Sequence, residues 1–407
     1  MKARKIISAL LIVVLLCLTS FGVNSIHTID NLAYVISVGF DITERGKLEL
    51  SFQISVPSEE SNSSSSSSGS SQSSSSIVTS VECNTFESGI NLVNSYLSKK
   101  VNLSHCRAVI FSEEISAKGI GEYLYTLINN VEVRPTCNII VSKCNAKYFL
   151  ENSKPLLEQL SSKYYDISSS SEKSTGYTSN ITLQDFYSNF SDTFSESYAI
   201  LGGINTGGSE SGSNDSDDSY VASETPINED TNIETLGLAA FKGDKLVGEL
   251  NGIESVAHLT LTNKLRNATI TVPSPFESTN YIDLFIVRSK CNTSASILNG
   301  TPFIKPKVKI EARITSMSDD YQYLDEQNID LIENYASLYI KSYMNDYLYK
   351  TSKTLKADTV GFGKYVVSNF ATYDDWNKYN WLDNYKNSFF NLDVDVNIKS
   401  RYLLIDT

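Results

Sequence analysis

Two hydrophobic periods alternate along the chain. Leu48, Leu50, Phe52, Ile54 and Val56 alternate with Glu49, Ser51, Gln53 and Ser55, which predicts a half-buried strand. The apolar run Leu32–Ile42 precedes it across the turn TERGK, so the two segments read as a hairpin. Phe86, Ile90, Val93 and Leu97 then recur at helical spacing. Ala108–Phe111 reads as a strand, Ile120–Ile128 as a helix and Thr136–Val141 as another strand. Ala146–Leu160 is helical in pattern, with a break near Pro155. Strands alternating with helices imply layered α/β packing.

The second half uses the same grammar. Leu236–Leu250 reads as a hairpin turning at Gly243-Asp244, and Ile253–Leu265 as a helix. Ala268–Val272, Tyr281–Val287 and Val308–Ile314 have strand character. Asp325–Lys353 is a long amphipathic helix whose apolar stripe (Ile329, Ile332, Ala336, Ile340, Tyr343, Tyr347) reads as core. Leu392, Val394, Val396 and Ile398 alternate in a last strand.

Two low-complexity stretches interrupt this pattern. Residues 61–76 contain 13 serines, and residues 202–219 read GGINTGGSESGSNDSDDS. Neither can bury enough apolar surface to offset its ordering entropy. The expected class is therefore α+β, with two to three mixed α/β domains and mixed sheets. A first domain covers 26–200 with a Ser-rich loop at 58–76. Residues 201–233 form a disordered linker. A second domain covers 234–407, with a subdivision near 273–303.

Residues 1–25 read as a signal peptide or membrane anchor. Lys2, Arg4 and Lys5 precede the uncharged, mostly apolar run Ile6–Val23. At about 20 residues for a bilayer span, that run is near the lower limit. The basic residues stay cytoplasmic under the positive-inside rule, which places the body outside.

Charge and composition narrow the chemistry. The 407 residues carry 34 Lys and Arg against 47 Asp and Glu, a net charge of −13. This argues against a nucleic-acid partner, which requires clustered cations. Removing residues 1–25 takes three basic residues and no acidic ones, so the body is more acidic still. Such a body is not drawn to anionic lipid, and membrane retention falls to the N-terminal segment. No phosphate loop, dinucleotide fingerprint, nucleophile elbow or zinc-protease motif occurs. Gly361-Phe362-Gly363-Lys364 lacks the leading Gly and the following Ser or Thr of a phosphate loop, and reads as a helix-terminating turn. His105-Cys106 are neighbours that point to opposite faces if extended, which separates them chemically. His27 and His258 stand alone. The pairs Asp374-Asp375 and Asp393/Asp395 read as solvated carboxylates. Sequons at Asn102, Asn180, Asn189, Asn267 and Asn292 arise by chance in a chain this rich in Asn and Ser. Beyond Cys17 there are five cysteines (83, 106, 137, 144, 291), an odd number that does not suggest a disulfide framework. Cys137 and Cys144 either pair or remain thiols. No catalytic, metal or cofactor-binding residue is assigned, and no enzyme activity is expected.

Four segments, in order, resemble the Ger(x)C family, the C subunits of bacterial spore germinant receptors. They are IDNLAYVISVGFDI (29–42), FSEEISAKGIGEYLYTLINNVEVRPTCNIIVSKCNA (111–146), LGLAAFKGDKLVGELN (236–251) and KADTVGFGKYV (356–366) with Asp375-Trp376 and Trp381. The signature positions are Phe241, Lys242, Asp244, Lys245, Val247, Gly248, Asp358, Gly361, Phe362 and Gly363, expected to be structural. The resemblance implies a non-enzymatic subunit on the outer face of the spore inner membrane, partnered by A- and B-type receptor subunits. Where family members carry a lipid-bearing cysteine, this chain has Val23, and Cys17 follows Leu15-Leu16 instead of a small residue. No lipid attachment is expected, and an uncleaved helix is the natural substitute. An exported solute-binding protein is the alternative reading, and a hydrolase built on a carboxylate pair a weaker third.

Overall fold

The computed structural model describes residues 31–56, 76–153, 173–206, 219–227, 232–277, 279–318 and 326–400, with Arg4, Lys163 and Tyr165 as isolated positions. The signal or anchor segment, Cys17, His27 and most of the Ser-rich loop lie outside them. No helix of the described residues is long and apolar enough to cross a membrane.

The first sheet starts with the predicted hairpin, β1 (Leu32–Ile42) and β2 (Leu48–Ser55), extended by β3 (Ser76–Cys83). Thr85 and Ser88 form a capping box that starts α1 (Phe86–Tyr96). Short β4 (Lys100–Asn102) and β5 (Ala108–Ser112) follow, then α2 (Glu113–Lys118), α3 (Gly121–Asn129), β6 (Asn138–Ser142) and α4 (Ala146–Asn152). Helix α5 (Leu183–Phe190) opens on a second capping box, Thr182 with Asp185, and leads to β7 (Tyr198–Asn205). The hairpin β8 (Asn232–Lys242) and β9 (Lys245–Leu250) closes the sheet.

Strand order is β3-β2-β1-β5-β6-β7-β8-β9, with β4 beside β1. The centre β1-β5-β6-β7 is parallel, and each flank is an antiparallel hairpin. Every residue of β5, β6 and β7 is buried, as expected for parallel strands with helices on both faces.

A third capping box, Asn251 with Glu254, starts α6 (Gly252–Leu261) and carries the chain to the second sheet. This sheet consists of β10 (Ala268–Pro273), β11 (Tyr281–Leu298), β12 (Thr301–Met317), β13 (Phe389–Phe390) and β14 (Asp393–Ser400). Strand β12 alternates buried and outward residues from Thr301 to Thr315. Helix α7 (Glu326–Tyr349) packs on β14 and continues into a π-helical turn, Lys350–Leu355. The short helix Gly363–Val366, then α8 (Tyr373–Tyr379) and a short turn at Trp381–Asn384, lie between the π-helical turn and β13. One apolar core runs without interruption from Phe40 in β1 to Val396 in β14.

Three expectations need correction. Residues 201–233 do not separate two self-contained halves. Strands β7 and β8 on either side are antiparallel partners in one sheet, and residues 219–227 are bonded to it. Ala222 N–H donates to the Leu236 carbonyl at 3.1 Å, and Ser223 N–H to Glu234 Oε2 at 2.7 Å. The hairpin assigned to the second domain therefore finishes the first sheet. Second, residues 273–303 hold no subdivision, because β11 and β12 pair along nearly their whole length. Third, β2 is buried on both faces instead of one. Its polar face is internally satisfied: Ser37 Oγ donates to Gln53 Oε1 at 2.6 Å, and Ser51 and Ser80 share a 2.8 Å bond. Of the two states left open for Cys137 and Cys144, the structure holds the second: both are free thiols. They flank the five-residue strand β6, so extended geometry holds them roughly 20 Å apart at ~3.3 Å per residue, beyond disulfide reach.

Candidate functional site

The signature segments meet where the two sheets join. The loop after the π-helical turn places Asp358 in full burial. Its Oδ1 accepts from Gly361 N–H at 2.9 Å; its Oδ2 accepts from Gly363 N–H at 3.1 Å and Trp381 Nε1–H at 2.9 Å. Burial nevertheless raises the carboxyl pKa to about 6, because desolvation outweighs these donors. Gly361 has φ +81°, a left-handed conformation that suits glycine. A Cβ on Gly363 would fall on the Phe194 carbonyl and the Trp381 ring.

The Asp358 carbonyl accepts from Glu196 N–H at 2.9 Å. Glu196 lies on the segment leading into β7, and its Oε2 accepts from Gly243 N–H at 2.7 Å in the β8–β9 turn. Its pKa is raised to about 7, mainly by desolvation, while Lys242 opposes and Asp358 and Asp383 add to the shift. At the same turn the Asp244 carbonyl accepts from Ile120 N–H at 3.0 Å and its Oδ2 from Gly121 N–H at 3.3 Å. One bonded path thus runs from Trp381 through Asp358, Glu196 and the β8–β9 turn to the start of α3. Three of the four family-like segments contribute to it. The fourth, β1, supplies Asp41, whose oxygens accept from Ala146 and Lys147 N–H and cap α4.

The remaining signature residues surround this path. Phe241 is buried edge-on against Phe186 at 5.0 Å. Phe362 stacks on Tyr385. Lys242 reaches Asp383 at 3.4 Å on the surface. Val247 packs partly buried on the core, and a Cβ on Gly248 would press on Leu355. Lys245 is exposed. Trp376 stacks on Phe194 at 5.3 Å and donates to Thr193 Oγ1 at 3.0 Å.

A second polar cluster lies deeper in the same junction. His258 of α6 is wholly buried and shares a 3.0 Å bond through Nδ1 with Tyr347 of α7, which continues to Thr359 at 3.1 Å. Tyr198 of β7 packs edge-on against its ring at 4.5 Å. Desolvation, with Lys264 adding repulsion, lowers the imidazole pKa to about 3, so His258 is neutral. Its role is to join sheet, helix and loop.

Glu196 and the His258–Tyr347 pair escaped sequence reading. The only local sign of Glu196 is a single carboxylate inside the strand approach Phe194–Ile200. The other candidates remain apart. His105 is exposed on a turn and not on a strand as expected; Cys106 is buried there and donates to the Ala108 carbonyl. Asp375 takes part in capping α8 with Thr372. Asp393 and Asp395 sit on the outer face of β14, where Asp395 reaches Lys309 at 3.9 Å. Among the described residues no cluster of three or more His, Cys, Asp and Glu is arranged to hold a metal.

Residues 25–204 match the spore germination protein N-terminal domain, and residues 236–401 match the "Spore germination B3/GerAC like, C-terminal" domain. YfkR of Bacillus subtilis (strain 168), a protein named for spore germination, is 23% identical over 94% of each chain. Spore germination protein KC of the same organism is 21% identical over 86% of this chain and 84% of its own. Spore germination protein GerQC of Bacillus cereus is 20% identical, covering 91% and 92%. The GerBC crystal structure superposes with a TM-score of 0.49 at 15% identity, over 89% of this chain and 97% of that one. The chain belongs to the Ger(x)C family of spore germination proteins.

Proposed function

We propose that this protein is the C-type subunit of a spore germinant receptor. In this reading it lies on the outer face of the spore inner membrane and works through contacts with A- and B-type subunits, without catalysis. The observation that carries the proposal is the match of both family domains, in order, across 25–204 and 236–401. In this reading the signature positions act architecturally: Asp358 holds Gly361 and Gly363, and Glu196 ties it to the β8–β9 turn. Outward residues of α7 supply a surface suited to a protein partner: Leu331, Tyr335 and Leu338 are 46%, 38% and 67% exposed at helical spacing. A solute-binding protein would need two lobes able to part about a cleft, and the continuous core joining both sheets opposes that.

The test is genetic and biochemical together. A strain lacking this chain and its paralogues should lose the response to nutrients, and the tagged chain should co-purify from spore inner membranes with multi-spanning receptor subunits. Undiminished nutrient germination in that strain, or recovery of the chain alone, would refute the proposal.

A further inference from the structure

At the pole where β1 begins, the first sheet carries an open groove of about 770 Å³. Leu32, Val56, Ile77 and Leu97 line it from four successive segments. Ile77 and Val56 are 47% and 39% exposed. Single apolar side chains on a surface need no explanation, but a contiguous set marks a contact face.

Among the described residues, the ionisable lining includes Lys99, His105 and Arg107 and no Asp or Glu. Lys100, next in sequence, is also exposed. The outer face of β12 also carries cations, but there Lys309 reaches Asp395 and Glu311 reaches Lys399, whereas at this pole the cations border an apolar wall. This is also the pole nearest the leader. Eight residues separate Val23 from Leu32, so nine steps along the chain reach at most about 32 Å at ~3.5 Å per residue. The turn after β1 lies at the far end of an 11-residue strand, roughly 33 Å away at ~3.3 Å per residue.

We propose that this groove seats on the anionic phospholipid headgroups of the bilayer entered by the leader. Its cations meet the phosphates, and its apolar wall meets the headgroup–acyl boundary. The rest of the body is acidic and is repelled by the same surface, so the two effects together orient the molecule with β1 toward the membrane. The inference rests on reading Ile6–Val23 as an anchor and adds the orientation.

The full chain would be reconstituted in nanodiscs of phosphatidylcholine with or without phosphatidylglycerol, the acyl chains brominated to quench nearby tryptophan. The native Trp376 and Trp381 are buried at the sheet junction and provide the background. The I77W chain, and independently V56W, should lose at least half of the added fluorescence in phosphatidylglycerol nanodiscs, whereas E44W at the opposite end should lose none. Replacing phosphatidylglycerol by phosphatidylcholine, or adding K99E with K100E, should at least halve that quenching. If the chain stays with the nanodisc but I77W and V56W are unquenched, the pole faces a protein or its own chain and the inference fails while the anchor reading survives. If quenching ignores lipid charge, the headgroup assignment is overturned. If the chain leaves the nanodisc, the anchor reading fails first.

Discussion

The two sheets are built on opposite plans. In the first, β5, β6 and β7 are parallel and buried on both faces. In the second, β12 is buried on one face and sends Lys305, Lys307, Lys309 and Arg313 outward. The first plan leaves little room for polar side chains, so its polar groups bond internally. The second tolerates them along a whole face. At the junction the plans meet, and there the protein buries two carboxylates, Glu196 and Asp358, with backbone and indole donors aimed at them. The comparison teaches that specificity of assembly is concentrated at the seam, where apolar packing alone would not fix the relative register of the sheets.

The largest expected effect tests the first plan. Ile140→Ala in β6 should cost about 2–5 kcal/mol by urea denaturation, as for other well-packed aliphatic deletions. Lys309→Ala on the outer face of β12 should stay within about 0.5 kcal/mol. Comparable losses at the two positions would erase the distinction between the sheets.

Next comes the seam. Asp358→Asn keeps one acceptor oxygen but turns an amide toward a donor, leaving buried N–H groups unpaired at a cost of about 2–3 kcal/mol. A loss below about 0.5 kcal/mol would mean that apolar contacts alone hold the sheets in place. Gly363→Ala should cost about 1–3 kcal/mol by overpacking against the Phe194 carbonyl and Trp381. Gly248→Ala should cost less, since Leu355 can turn aside. Equal melting temperatures for the two glycine variants would contradict this ranking.

The smallest effect concerns pH. Glu196 binds its proton more tightly folded (about 7) than in its ordinary state (4.5). The native state therefore holds extra proton between those values, and stability falls as pH rises through that window. His258 acts in the opposite direction, because its pKa is lowered from 6.5 to about 3 and it contributes stability that is lost as pH falls from 6.5. Glu196→Gln keeps an acceptor for Gly243 and removes only the first contribution. It should match the parent at pH 4 and melt about 1 °C higher at pH 8, a gain near 1 kcal/mol for a chain of 407 residues. An identical difference at both pH values would show that the carboxyl does not titrate in that window.

Local signals carried much of the fold. The alternation in 48–56, the helical spacing in 86–97 and the stripe of α7 each depend on neighbours a few residues away, so they are visible in the chain itself. The helix-terminating role read for Gly361 falls instead to Lys356, which takes the left-handed conformation after the π-helical turn, while the Gly361 turn opens the short helix Gly363–Val366. Asp358 was legible only through the family resemblance. The linker reading failed for the converse reason. A polar, glycine-rich stretch between two patterned halves resembles a domain boundary, and only the pairing of β7 with β8 shows that it lies within one sheet. Residues 281–303 were underread because β11 and β12 support each other across the hairpin.

The sequence by itself determined the element types, the acidic charge, the basic-then-apolar leader and the family, since these follow from composition, short-range periodicity and ordered motifs. Tertiary structure alone decided that β8 and β9 complete the first sheet, that Glu196 meets the Gly243 turn, and that a few cations in an acidic chain gather around one apolar groove. The reason is distance along the chain. Contacts between residues far apart in sequence are fixed by which surfaces can be buried together, and no local pattern of side chains encodes that choice.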